Sequence, residues 1–134
     1  MNLDLQEPKK KMGIKRFLNS IKYSLYGLGY AVKNEQSFTL LAISFFITLG
    51  MGFFFQITLT EWIYVLFASG LVLGIELINT AIEAIVDKIS PEQNKFAKIA
   101  KDTGSAAAFL FTIMSLIIGL IVFIPYVIDM IGGK

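Results

Sequence analysis

Two runs without a charged side chain dominate this sequence, one from Gln36 to Thr60 and one from Thr103 to Ile128. Each exceeds the roughly 20 residues that an α-helix needs to cross the hydrocarbon core of a bilayer. A segment in lipid must satisfy its own backbone polar groups, which a helix does within one stretch of chain. A third apolar run, from Trp62 to Ile75, is interrupted by Glu76 before it reaches that length. It spans only if the helix continues through Leu77, Ile78, Ala81, Ile82, Ala84, Ile85 and Val86, taking polar residues into the membrane with it. The expected fold is therefore an all-α membrane protein, one domain over 1–134. Its transmembrane helices are expected at 36–58, at 62–87, and within 90–128, where the last helix begins outside the membrane. Ser90, Pro91 and Gln93 predict that beginning as N-cap, first helical residue and capping-box partner.

The residues ahead of the first run follow a different pattern. Ile14, Phe17, Leu18, Ile21, Leu25, Leu28 and Val32 recur at helical spacing, with Lys15, Arg16, Asn19, Lys22 and Lys33 off that stripe. This predicts a basic amphipathic helix over 14–34 lying on a membrane surface. A basic tail at 1–13 carries Lys9, Lys10 and Lys11 toward anionic headgroups. The first 35 residues hold no apolar core of a signal peptide, so a removable leader is not expected.

Charge placement predicts orientation. Seven of the twelve Lys and Arg precede residue 36, four more (Lys88, Lys95, Lys98, Lys101) lie between the second and third spans, and none lies at 56–61. By the bias of basic residues toward the cytoplasm, the N-terminus and the 88–102 segment face inward. Trp62, Tyr64 and Tyr126 then fall where an outer aromatic belt belongs.

Composition narrows the chemistry. Charged residues are 16% of the chain and hydrophobic ones 55%, which excludes a disordered chain or a basic nucleic-acid-binding domain. Cysteine and histidine are absent, which removes disulfides, thiol or imidazole metal sites and every nucleophilic centre that needs a histidine base. Carboxylates, lysines, hydroxyls and amides remain.

The second span concentrates them. Glu76, Asn79, Thr80, Glu83 and Asp87 are spaced so that all fall within an arc of about 100° on one helix face. Leu77, Ile78, Ile82 and Ile85 occupy the rest, so the polar stripe must face protein or a polar cavity. Counted from Trp62, Glu76 lies about 21 Å down the helix and Glu83 about 31 Å, so the stripe runs from inside the bilayer to its inner boundary. Glu35 should sit at the level of Glu83. Taken alone, Glu76 also fits a buried hydrogen-bonding residue that joins helices, and Glu35 or Glu83 a solvated interfacial carboxylate. Together, two carboxylates and an amide at a water boundary suit Mg²⁺, and a carboxylate inside the membrane suits a general base. Lys101 and Asp102, at the start of the third span, can meet phosphate and position a partner; a lysine snorkelling at a helix end is the simpler alternative. No Walker-type glycine loop or protein-kinase motif is present.

The stretch Glu76-Leu77-Ile78-Asn79-Thr80-Ala81-Ile82-Glu83-Ala84-Ile85-Val86-Asp87 resembles the signature of the prokaryotic diacylglycerol kinase family of small integral-membrane kinases. Lys101-Asp102 followed by small residues resembles that family's second motif, and Asn34-Glu35 with Phe38 a third. Arg16, Tyr23, Ser24 and Gly27 stand at matching distances upstream. The resemblance implies a homotrimer in the bacterial inner membrane, with active sites shared between subunits and ATP as phosphoryl donor. It implies Glu76 as general base, and Glu35 and Glu83 as the carboxylates that hold the ATP-bound Mg²⁺. Arg16, Tyr23, Glu35, Glu83, Glu92, Gln93, Asn94, Lys101 and Asp102 would contact the nucleotide. Arg16, Glu76, Asn79 and Ser105 would serve the lipid.

Two branches of the family are represented. Thr103-Gly104-Ser105-Ala106-Ala107 resembles the Gram-negative type that phosphorylates diacylglycerol to phosphatidic acid. Thr60-Glu61-Trp62, Ser90-Pro91-Glu92 and the Gly119-to-Pro125 stretch resemble the branch that often uses undecaprenol. A small transporter using Glu76 as a proton or cation site is the reading from another class, and it leaves Glu83, Asp87 and Lys101-Asp102 without a role.

Overall fold

The computed structural model describes residues 13–92 and 94–133. The basic tail through residue 12, Gln93 and Lys134 lie outside the described residues. Four helices follow in order: α1 (Ile14–Asn34), α2 (Gln36–Phe55), α3 (Leu59–Ile89) and α4 (Lys95–Ile131). The last three are long and apolar enough to cross a membrane. The 20 residues of α2 span about 30 Å, the thickness of a hydrocarbon core, whereas α3 and α4, with 31 and 37 residues, extend well beyond it.

α1 meets α2 at a single non-helical residue, Glu35, whose extended backbone turns the chain. Thr39 closes the break: its hydroxyl hydrogen is shared between the carbonyl of Val32 at 2.7 Å, an acceptor that the end of α1 leaves open, and that of Glu35 at 3.1 Å, which also accepts the Thr39 N–H. Apart from Ala31, every residue of α1 is exposed, and so is its whole apolar stripe. An exposed row of Phe17, Leu18, Ile21 and Leu25 is what a helix resting on lipid presents.

α2 ends short of the expected boundary because Gln56 takes the left-handed conformation (φ 52°) and Ile57 N–H returns to the Gly52 carbonyl at 3.2 Å. α3 then begins at Leu59, ahead of Trp62. Thr58 and Glu61 form a full capping box, and Glu61 also accepts from the Tyr126 hydroxyl of α4 at 2.7 Å. The Trp62 ring lies directly against Gly52, where any Cβ would overlap it. Beneath this closure is the apolar core: Ile57, Val65, Val122 and Phe123, with Met51, Phe55, Trp62 and Tyr126 packed against them. The main packing seam runs between α3 and α4, and α2 leans on it.

The start of the last helix differs from expectation. Ser90 ends α3, Pro91 and Glu92 form a turn, and the helix begins at Lys95 with Asn94 as its cap, accepting from Ala97 N–H at 2.9 Å. α3 continues far enough to use Ser90 as its own terminus, which leaves the capping role to the next suitable residue. The capping box expected of Gln93 falls on a residue outside those described.

Candidate active site

The polar stripe of α3 lies at the end of the bundle away from the apolar core, against the first turns of α2 and the entering part of α4. Glu76, Asn79 and Thr80 are buried, Glu76 to 6% exposure. Glu76, Asn79 and Glu83 line a cavity of about 250 Å³ with Ser37 from α2 and Ser105, Ala108 and Phe109 from α4. The 3.6-residue period of α3 brings 76, 79 and 83 onto the seam, and the small residues of α4 at 104–108 leave the room.

Within the cavity, Asn79 Nδ2 donates to Glu83 Oε1 at 3.0 Å. Among the described residues, no side chain donates to Glu76, so its carboxylate faces cavity space with its acceptors available. Asn79 Oδ1 is buried and lacks a hydrogen-bond donor. At the outer edge of the stripe, Lys101 Nζ pairs with Asp87 Oδ1 at 2.9 Å. Glu83 and Glu35 are also within electrostatic reach of that ammonium. Asp87 is the carboxylate in direct contact with the lysine.

The other anticipated residues that the structure describes do not line the cavity. Arg16 and Tyr23 are on α1; Arg16 borders a separate hollow with Gly13, Phe17 and Ser20. Glu92 is in the exposed turn, Asp102 is exposed on α4, and Asn94 uses its side-chain oxygen to cap that helix. Gln93 is outside the described residues. Three participants were not foreseen. Ser37 and Phe109 line the cavity through helix packing alone. Gly104, beyond its small size, lies directly against Asn79; its place within a run of small residues was the available signal.

On the neighbouring face of α3, a groove of about 480 Å³ separates it from α1, lined by Ser24, Gly27, Leu28, Tyr30, Leu77, Thr80 and Ala81. Its surface is nearly all apolar, with hydroxyls only at Ser24, Tyr30 and Thr80.

Fold and site together define a helical membrane protein with an acidic, amide-braced cavity at one end of its spans and an apolar groove alongside. The prokaryotic diacylglycerol kinase family profile matches residues 22–123. The chain is 33% identical over 112 residues to undecaprenol kinase of Bacillus subtilis, covering 84% of this chain and 91% of that protein. It is 39% identical over 101 residues to diacylglycerol kinase of Haemophilus influenzae (75% and 86% of the two chains). To diacylglycerol kinase of Escherichia coli K12 it is 30% identical over 105 residues (78% and 86%). The chain belongs to the prokaryotic diacylglycerol kinase family and is a membrane lipid kinase.

Proposed function

We propose that the protein transfers the γ-phosphoryl group of Mg-ATP to the hydroxyl of diacylglycerol, forming phosphatidic acid at the cytoplasmic face of the bacterial inner membrane. The observation that carries this is the cavity lined by Glu76, Asn79, Glu83 and Ser105, with Lys101 beside it. Glu76 accepts the proton as the lipid O–H bond breaks; the new O–P bond forms while the bond from phosphorus to ADP breaks. Lys101, held by Asp87, offsets charge on the phosphoryl oxygens. The apolar groove between α1 and α3 suits the lipid chains, so the headgroup hydroxyl arrives at the level of the stripe.

The donors around the cavity are all oxygen, from carboxylates, an amide and hydroxyls, which suits Mg²⁺. Among the described residues no three acidic side chains converge on one point. Mg²⁺ is usually held by one or two carboxylates together with water and substrate phosphate. Glu83 and Glu35 are the residues that would hold it, and the ion would supply charge neutralisation on the phosphates. Arg16, Tyr23, Glu92, Gln93, Asn94 and Asp102 would complete the nucleotide site in a homotrimer.

Undecaprenol is the second reading, favoured by the match to undecaprenol kinase along 91% of that protein's length. Presenting diacylglycerol and undecaprenol side by side to the purified protein, with labelled ATP and Mg²⁺, separates the two. We expect label in phosphatidic acid. Label in undecaprenyl phosphate alone would reassign the substrate, and label in neither would refute the kinase mechanism.

A further inference from the structure

Gly104 is helical, with no positive φ, so its backbone conformation is open to any residue. In a helix glycine is destabilising relative to alanine, and at position 104 its surroundings supply a reason that most helical glycines of this chain lack. At Gly70, Gly74 and Gly119 an added Cβ would meet nothing within 4 Å. At Gly104 it would overlap Asn79 Oδ1, with Asn79 Cγ and Ile82 Cδ1 both 3.6 Å away.

The orientation of the Asn79 amide follows from its partner. An ionised carboxylate only accepts, so the amide must turn its NH₂ toward Glu83, where the bond is 3.0 Å. The oxygen is then directed the other way, into the face of Gly104, and has no N–H or O–H donor among the described residues. A Cα hydrogen is what glycine offers there, a weak contact that a methyl group would replace with a collision. Oδ1 and Nδ2 share one planar carbon, so pushing the oxygen aside by rotation swings the nitrogen off Glu83 by a similar distance.

We propose that Gly104 is a positioning residue: its missing side chain lets the Asn79 amide point its donor at Glu83, and so fixes a carboxylate that would hold the metal. This rests on the kinase mechanism for its consequence in turnover, but the Gly104–Asn79–Glu83 linkage itself does not.

The test uses G104A, N79A and the double variant in the full-length protein. The side-chain NH₂ resonance of Asn79, assigned by its absence in N79A, is recorded by ¹⁵N–¹H NMR in micelles without Mg²⁺ or nucleotide. We expect slow exchange and a displaced shift in the parent, and movement to the free-amide position in G104A. In phosphoryl transfer, G104A should lose about 10- to 100-fold, the range for a displaced hydrogen bond to a charged group. It should also need more Mg²⁺ for half-maximal rate. The double variant should be no worse than N79A, since the methyl then occupies vacated space. An unchanged amide resonance in G104A, an unchanged Mg²⁺ requirement, or multiplied losses in the double variant would overturn the proposal. If G104A does not fold, N79A/G104A should, and its failure would also overturn it. A parent that transfers no phosphate while its amide resonance still responds to G104A would refute the kinase mechanism and leave the linkage standing.

Discussion

Glu76 is buried well down α3 from Trp62, deep enough that an idle carboxylate there would be costly. The neighbouring Asn79 is committed to Glu83 rather than to Glu76. Glu76 is thereby left able to accept a proton from an incoming hydroxyl. Replacing it by Gln preserves shape and removes the base, so E76Q should lower kcat by about 10²- to 10⁴-fold with folding unchanged. Turnover at fixed saturating substrate, with a melting curve as control, checks this; turnover within about threefold of the parent would remove Glu76 from the chemistry. The stripe was legible because one helix carries it, and a spacing of three and four residues is a property of sequence. Ser37, Phe109 and the contact of Gly104 with Asn79 were not, because each depends on how closely one helix approaches another. The pairing of Lys101 with Asp87, 14 positions apart, was hidden for the same reason: both residues were visible, but only the α3–α4 turn makes them neighbours.

At the scale of elements, hydropathy located the spans, whereas their ends were decided by caps. Thr58 with Glu61, the left-handed Gln56 and Asn94 each moved a boundary by a few residues. Ser90-Pro91 has the composition of a helix start, yet the continuing α3 takes Ser90 as its terminus. The Asn94 cap leads to a specific expectation. N94A removes the acceptor for Ala97 N–H and should destabilise the protein by about 1 kcal/mol, seen as a lower unfolding midpoint in detergent. An unchanged midpoint would mean that the cap contributes nothing, and a raised KM for ATP in the same variant would show a nucleotide role beside it. At the other end, Tyr126 ties α4 to the start of α3 through Glu61, far from the cavity. Y126F should lower the unfolding midpoint by a few degrees and leave the turnover of folded protein unchanged. A fall in kcat without a fall in midpoint would contradict this division of labour.

Considered as a whole, the molecule is closed at one end and open at the other. Trp62 on Gly52, the Glu61–Tyr126 bond and the apolar core shut the end where α2 passes into α3. The opposite end holds the acidic cavity, the apolar groove and the protruding parts of α3 and α4. Arg16 borders a hollow separate from that cavity, and the exposed apolar faces of α2 and α4 remain to be covered by lipid or by other copies. If sites are completed across a homotrimer, two differently damaged chains can supply one intact site between them. E76Q removes the proposed base and R16A a proposed nucleotide contact, so each alone should be nearly inactive. Unfolded together and reconstituted as mixtures, they should regain a fraction of parental turnover that rises and falls with the mixing ratio and is greatest near equal amounts. Activity that stays at the level of the separate variants at every ratio would mean that each site is built from a single chain, and that Arg16 reaches its own cavity by movement of α1.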